Sequence, residues 1–178
     1  MVEITSKPFV YFLCTGNSAR SQMAEGWLRH LAGDRVVVAS AGFEPSFVHP
    51  LAIRVMAEVG IDISGHTSKA IDRDLLHRAF YAVTLCGDAE ERCPYTPPHV
   101  RREFWPLPDP ARVHGTEEER LRAFRFVRDE LGKKMPEFLS RVLDAWERRY
   151  EGPSLPAPVS EIFLSPDHLS GGRSARRE

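Results

Sequence analysis

The sequence predicts an α/β fold in which a four-stranded parallel sheet, in the strand order 2-1-3-4, carries helices on both faces. Two observations lead to this prediction. Four short apolar runs, rich in β-branched and aromatic residues, have the composition of buried strands. Segments with apolar residues at helical spacing separate these runs. Strands that alternate with helices form parallel sheets through right-handed crossovers.

The individual elements follow from the same patterns. Strands are predicted at residues 8–13, 36–41, 80–85 and 102–107. Helices are predicted at residues 21–31, 50–58, 71–77 and 116–146, with a short helix or tight coil at 87–92 and a loop at 61–68. Thr116 begins the last helix with Glu119 at the capping-box position, and Pro136 is expected to bend that helix.

The composition indicates one catalytic domain, residues 1–151, and a mobile tail rich in Pro, Ser and Gly, residues 152–178. Basic and acidic residues nearly cancel, at 24 and 25, so no global field favours nucleic acid or an anionic membrane. The apolar runs are too short to span a bilayer, and the first residues lack the apolar region of a signal peptide. We therefore expect a cytoplasmic monomer that binds neither nucleic acid nor membranes.

The segment from Cys14 to Arg20 forms the turn between the first strand and the first helix, where free N–H groups and the helix dipole attract an oxyanion. Gly16 allows close backbone approach and positive φ, and Asn17 tolerates a left-handed conformation and can brace the loop. Arg20 adds a planar donor that matches phosphate-like oxygens. The predicted oxyanion-binding residues beside Arg20 are Thr15, Gly16, Asn17, Ser18, Ala19 and Ser21.

Cys14 is the predicted nucleophile of this loop. It would lie beneath the anion, where the helix dipole, the loop amides and Arg20 all favour thiolate over thiol. The alternative is an ordinary buried cysteine at the end of a strand. The chain has three cysteines and enough residues for an ample core, which favours catalytic or redox thiols over structural disulfides.

The predicted topology places a second cysteine beside the first. In the order 2-1-3-4 the first and third strands are neighbours, and ligands bind at their carboxyl ends, where the strand order reverses. Cys14 ends the first of these strands and Cys86 ends the third. Neighbouring strands lie about 4.8 Å apart, which is within the range of Cα separations that a disulfide bridges.

These residues resemble a known family. The stretch Cys14–Ser21 is similar to the loop of low-molecular-weight tyrosine phosphatases, and the longer stretch Cys14–Trp27 (CTGNSARSQMAEGW) resembles the thioredoxin-coupled arsenate reductases that share that fold. The resemblance covers roughly residues 9–150. It implies a flavodoxin-like domain that takes arsenate, with phosphate or sulfate as competing oxyanions, and needs no obligatory cofactor besides thioredoxin as external reductant.

The family resemblance also implies a three-cysteine relay. The segment from Val83 to Pro94 resembles the reductases, whose intermediate and final cysteines have the separation of Cys86 and Cys93. Cys14 would attack arsenate, Cys86 would attack the sulfur of Cys14 and expel arsenite, and Cys93 would resolve the resulting disulfide for thioredoxin to reduce. The alternative is that Cys86 and Cys93 are ordinary structural cysteines.

Further roles are implied by position within the family. Asp109, in an Asp-Pro pair, matches the general acid of the phosphatases; its alternative is a turn without chemistry. Ala19 replaces a cysteine that relatives usually carry, which removes an off-state with Cys14 locked in a loop disulfide. Some relatives bind potassium, and the corresponding oxygen-bearing residues would be Asn17, Glu25, Ser40 and Asp72.

Two other functions compete with arsenate reduction. A phosphatase acting on tyrosine phosphate or small phosphate esters would need only Cys14, Arg20 and Asp109. Such phosphatases typically carry Tyr near the Asp-Pro pair, whereas Ala111 follows here. A non-catalytic oxyanion or redox sensor is the third interpretation, although the sequence adds nothing that resembles a DNA-reading helix.

Overall fold

A parallel sheet in the order β2-β1-β3-β4 organises the chain, as predicted. The computed structural model describes residues 7–93 and 96–149. Its strands are β1 (Phe9–Cys14), β2 (Val37–Gly42), β3 (Tyr81–Thr84) and β4 (Arg101–Phe104). β1 pairs with β2 and with β3, so the first and third strands are neighbours. The strand order reverses between them.

Five α-helices connect and cover these strands in the described part of the chain. They are α1 (Arg20–Ala32), α2 (Pro50–Glu58), α3 (Arg73–Arg78), α4 (Gly87–Arg92) and α5 (Glu117–Arg148). Each lies within a few residues of its predicted position. The Thr116 hydroxyl accepts the Glu119 amide at 3.2 Å, as expected of a capping residue, and α5 continues through Pro136.

The two faces of the sheet carry separate apolar cores, which is the reason that β1 is buried along its whole length. Val10 and Phe12 belong to the larger core, with α1, α2 and α5, whereas Phe9, Tyr11 and Leu13 face the smaller core around α3. The apolar stripe predicted for the last helix is buried from Leu121 to Val142. The prediction of helices on both faces is confirmed.

Strand β4 is shorter than predicted, because its regular pairing with β3 ends at Phe104 rather than Leu107. The next residues still bond to the β3 segment: the amides of Trp105 and Leu107 donate to the carbonyls of Thr84 and Leu85 at 2.9 and 3.2 Å. Pro106 lies between these two donors. A proline has no N–H to donate, so it fits this non-bonding position.

A glycine sets the contact between α1 and α5. The Trp27 indole of α1 donates to the Arg128 carbonyl of α5 at 3.0 Å, and its ring covers Gly132. A Cβ at position 132 would lie 2.8 Å from the ring. Gly132 lies four residues before Pro136, where a small residue leaves room for the proline ring, and the structure shows that it also admits Trp27.

The contacts divide the chain into two units, Met1–Trp146 and Glu147–Glu178, and the sheet belongs to the first. The predicted tail, residues 152–178, lies outside the described residues, and the boundary predicted at residue 151 stays a prediction. Within residues 7–93 and 96–149, no helix is both long and apolar enough to cross a membrane.

Candidate active site

The turn after β1 has the conformation of an anion-binding loop, with one correction to the sequence analysis. Asn17 takes the positive φ, at 46°, and Gly16 does not. The Asn17 side chain braces the turn as expected: its Nδ2 donates to Ser21 and Ser40 at 2.8 and 2.9 Å. Its Oδ1 accepts from Gln22 and from the Lys69 amide. These bonds offset the cost of the left-handed conformation.

Cys14 lies buried at the floor of this loop, with donors directed at its sulfur. The Asn17 amide donates to Sγ at 3.2 Å, and Ser21 Oγ lies 2.8 Å from Sγ. Ser21 accepts a hydrogen from Asn17 Nδ2, so its own hydroxyl hydrogen is free for Cys14. Two donors therefore face the sulfur.

The carbonyls of the loop are held away from the cleft by later segments of the chain. The Thr15 carbonyl accepts the Glu44 amide, the Gly16 carbonyl accepts from Ser46 and Ser68, and the Ser18 carbonyl accepts the His49 amide. With its carbonyls bonded outward, the loop is free to turn N–H groups inward, which is the geometry of an anion nest.

Gly42, the last residue of β2, permits the closest approach to this loop. A Cβ at position 42 would lie 2.5 Å from the Thr15 carbonyl oxygen and 2.7 Å from the Asn17 amide nitrogen. Both are backbone atoms, so the loop itself would have to move. Gly42 lies just past the strand predicted at residues 36–41, and no sequence pattern indicates this contact, because it joins segments far apart in the chain.

We expect Gly42→Ala to distort the anion loop and to weaken both folding and oxyanion binding. The free energy of unfolding should fall by about 1–3 kcal/mol, the usual cost of inserting a methyl group into a packed site. Urea unfolding with and without phosphate measures both effects, because a ligand of the folded state raises its stability. Gly65→Ala is the control, since a Cβ there meets nothing within 4 Å. If G42A and G65A had the same free energy of unfolding, the close approach of Gly42 to the loop would be contradicted.

Arg20 begins α1 and closes the loop from the side. Its Nη1 donates to the Leu107 carbonyl at 3.0 Å, and its Nη2 lies 3.7 Å from Asp109 Oδ2. The other Asp109 oxygen accepts the Ala111 amide in the 3-10 turn that follows. Arg112 also approaches Asp109, at 3.6 Å. The predicted nucleophile loop, guanidinium and acid thus meet at one site.

These groups line an open cleft of about 560 Å³. Its charged lining contains three arginines and three carboxylates: Arg20, Arg92, Arg112, Glu44, Asp88 and Asp109. Because the net charge of the protein is near zero, the attraction for an oxyanion was expected to be local. The lining agrees with this, since its arginines and carboxylates are equal in number.

Cys86 lies just past the end of β3, with its sulfur 3.4 Å from the Thr15 hydroxyl oxygen of the loop, and caps the N-terminus of α4. It is buried, and its sulfur accepts the Ala89 amide at 3.4 Å. A second cavity of about 260 Å³, lined by Cys86 and Arg20 among others, adjoins the same loop. Cys93 follows α4 and is partly buried against the smaller core, which raises the pKa of its thiol. All three cysteines are free thiols.

Polar contacts around α4 were missed by the sequence analysis. Asp88 accepts the Thr15 hydroxyl at 2.7 Å and pairs with Arg92 at 3.2 Å. Arg92 also lies 3.6 Å from Glu44 and over the Phe43 ring. The sequence of α4 indicates only the ion pair between Asp88 and Arg92, which are four positions apart. It does not predict the other contacts, because their partners come from the loops after β1 and β2.

Three of the four residues proposed for potassium lie together. Asn17 donates to Ser40, and Ser40 donates to Glu25 at 2.9 Å. Glu25 also forms an ion pair with Arg29 at 3.0 Å and lies 3.2 Å from His66. Burial lowers the pKa of His66. The Asp72 carboxylate accepts two amides at the start of α3. These hydrogen bonds and ion pairs already engage all four residues, so the geometry does not itself call for a cation.

This fold and site define a phosphatase-like class of protein. The model of the low molecular weight phosphotyrosine protein phosphatase family matches residues 9–148. The chain therefore belongs to this family, with a buried cysteine, an anion loop and an arginine at the carboxyl ends of the central strands.

Within the family, the chain is similar to arsenate reductases. It is 57% identical to the arsenate reductase of Bacillus subtilis (strain 168) over 129 residues, which are 72% of this chain and 93% of the relative. A solved arsenate reductase in a phosphate-binding state superposes with a TM-score of 0.63 at 36% identity, over 76% of this chain and 98% of that one. A thioredoxin-dependent arsenate reductase from Corynebacterium glutamicum superposes with a TM-score of 0.64 at 28% identity, over 78% of this chain and 63% of that one.

Proposed function

We propose that this protein reduces arsenate to arsenite through the thiols of Cys14, Cys86 and Cys93, with thioredoxin as the external reductant. The observation that carries the proposal is the position of Cys86. It lies just past the end of β3, the strand next to β1, and lines a cavity beside the anion loop. A hydrolytic phosphatase needs no second thiol at this place. The arsenate reductases to which the chain is similar support the same reading.

The proposed reaction balances through the three thiols. The Cys14 thiolate attacks arsenic, an As–S bond forms, and an As–O bond breaks as the oxygen leaves as water. Cys86 then attacks the sulfur of Cys14; the S–As bond breaks, and its electron pair leaves with arsenic as arsenite. Cys93 attacks Cys86, which frees the Cys14 thiolate and leaves a Cys86–Cys93 disulfide. The dithiol of thioredoxin reduces that disulfide.

Asp109 is the proposed proton donor for the departing oxygen. Its carboxylate lies 3.7 Å from the Arg20 guanidinium that would hold the anion, so it lies within reach of a bound tetrahedral oxyanion. Arg20 and the loop amides would stabilise the charge that develops on the anion oxygens. Phosphate and sulfate have the same tetrahedral shape, and we expect them to compete with arsenate.

The test of the function sets two assays side by side. One measures arsenite formation from arsenate with thioredoxin and its reductase; the other measures hydrolysis of an aryl phosphate. We expect sustained arsenite formation that stops when thioredoxin is omitted. Efficient phosphate ester hydrolysis without arsenite formation would overturn the proposal in favour of the phosphatase alternative, which Cys14, Arg20 and Asp109 alone could support.

The relay requires α4 to move. Cys86 and Cys93 flank a helix, so about 1.5 Å of rise per residue over seven residues separates their Cα atoms by roughly 10 Å. A disulfide spans at most about 7 Å without backbone movement. Only Ala89 is buried in α4, so little apolar burial resists unwinding. The move would also take Cys93 out of the apolar surroundings that raise the pKa of its thiol.

We therefore expect amide hydrogens across residues 87–93 to exchange faster in the oxidised protein than in the reduced one. Hydrogen exchange with mass spectrometry measures this, and the same mass spectra confirm the disulfide. The Cys93→Ser variant is the control, because it cannot form the bridge and should keep its protection under oxidant. Equal protection in both redox states of the parent, with the disulfide present, would contradict the movement.

Three remaining proposals concern a bound ion, the cellular location and the oligomeric state. Potassium binding near Asn17, Glu25, Ser40 and Asp72 stays a prediction, and thermal unfolding in potassium against sodium chloride tests it, since a bound ion stabilises the folded state. A cytoplasmic location and a monomeric state also stay predictions. Cell fractionation and sedimentation measure them directly.

A further inference from the structure

The peptide unit between Gly16 and Asn17 is held on both sides by groups from elsewhere in the chain. On one side, the Gly16 carbonyl accepts the Ser68 hydroxyl at 3.1 Å. On the other side, the Asn17 amide donates to Cys14 Sγ at 3.2 Å. In a trans peptide the C=O and N–H groups point in opposite directions, so a donor on the carbonyl also determines where the amide points. The Ser68 hydroxyl and the Cys14 sulfur therefore lie at opposite ends of one peptide unit.

The direction of the Ser68 hydroxyl hydrogen follows from its two neighbours. A backbone amide only donates and a carbonyl only accepts. The Ser46 amide lies 3.0 Å from Ser68 Oγ, so it uses a lone pair of that oxygen, and the hydroxyl hydrogen points to the Gly16 carbonyl. The Ser46 amide also reaches this carbonyl, at the longer distance of 3.2 Å. Ser68 thus joins the anion loop to the segment that follows β2.

This peptide unit needs such a hold because the residues on both sides of it favour other conformations. Gly16 has no Cβ and rotates freely, and Asn17 has a φ of 46°, which costs free energy. Rotation of the peptide plane would replace the N–H group at the Cys14 sulfur by the Gly16 carbonyl, which would repel an oxyanion above that sulfur. The Lys69 amide donates to Asn17 Oδ1 at 2.9 Å, but this bond holds the side chain and not the preceding peptide.

We infer that Ser68 is a positioning residue of the anion site, whose hydroxyl keeps the Gly16–Asn17 amide directed at Cys14 and the Gly16 carbonyl out of the cleft. Ser68 ends the segment 61–68, which the sequence pattern identifies only as a loop, and no step of the proposed chemistry uses it. The importance of Ser68 for catalysis rests on the proposed function. Its effect on oxyanion binding does not depend on arsenate reduction.

The first measurement is the affinity of the full chain for sulfate, by isothermal titration calorimetry at neutral pH. Sulfate is tetrahedral like arsenate, and it is not reduced by thiols. Ser68→Ala should weaken sulfate binding about two- to tenfold, the contribution of one hydrogen bond. Ser68→Thr keeps the hydroxyl and should bind like the parent. Thr67→Ala is the matched control, because it removes the hydroxyl of the exposed neighbouring residue and should leave the affinity unchanged.

The second measurement separates the orientation of the peptide from a general loosening of the loop. Hydrogen exchange of the Asn17 amide, followed by NMR without anion, should be faster in S68A than in the parent, because the amide is no longer held at the sulfur. The Lys69 amide, which bonds to the Asn17 side chain, should keep its protection.

Four results would each overturn the inference. They are unchanged sulfate affinity in S68A, equal weakening by T67A, weak binding by S68T, and exchange in S68A that is either unchanged at Asn17 or faster at both amides. Failure of the arsenate assay would overturn the proposed reduction instead, and it would leave the sulfate affinities of these variants as they are.

Discussion

Cys14→Ser and Cys14→Ala are expected to abolish arsenate reduction and any aryl phosphate hydrolysis, each by more than about a thousandfold, as loss of a nucleophile usually does. The structure gives the reason. Cys14 is the thiol at the floor of the anion loop, and the Ser21 hydroxyl and the Asn17 amide both face its sulfur. A serine hydroxyl at this position is a far weaker nucleophile than a thiolate.

Steady-state rates with both substrates check this prediction, and phosphate protection against urea unfolding controls for the integrity of the loop. The C14S variant should still gain stability from phosphate, because the loop amides and Arg20 remain. Substantial turnover of both substrates by either variant would rule out Cys14 as the nucleophile.

We expect each of the variants Cys86→Ser and Cys93→Ser to lose arsenate reduction but to keep aryl phosphate hydrolysis. Multiple-turnover arsenate reduction should fall to background, because reduction needs the second and third thiols to carry two electrons out of the site. Weak aryl phosphate hydrolysis should persist, because water completes that reaction after Cys14 has been phosphorylated. The comparison of the two assays on the same variants is the measurement.

The two serine variants also differ from each other in a way that identifies their order in the relay. C93S should still release one equivalent of arsenite and stop at a Cys14–Cys86 disulfide, which mass spectrometry of peptides detects. C86S should release none, because no thiol is placed to attack the sulfur of Cys14. Parallel loss of both activities in both variants would mean that these cysteines are structural.

Much of this protein follows from local sequence patterns. The buried strands and the helical stripes depend on residues close together in the chain, and the structure confirms them. The predicted strand order is also confirmed, although it depends on how the crossovers place the strands. The turn from Cys14 to Arg20 could be interpreted from sequence for the same reason, because an anion loop at a helix N-terminus uses consecutive residues. The position of Cys86 beside the anion loop required one more step, the neighbouring position of the first and third strands.

The tertiary structure decided what depends on residues distant in the chain. Gly42 is needed because β2 passes within van der Waals distance of the anion loop, and Asn17 rather than Gly16 takes the positive φ because later segments hold its side chain. The bond between Thr15 and Asp88 joins residues 73 positions apart. Side-chain contacts of this kind depend on how each crossover places its loop, to within an ångström, and hydrophobic periodicity carries no information at that precision.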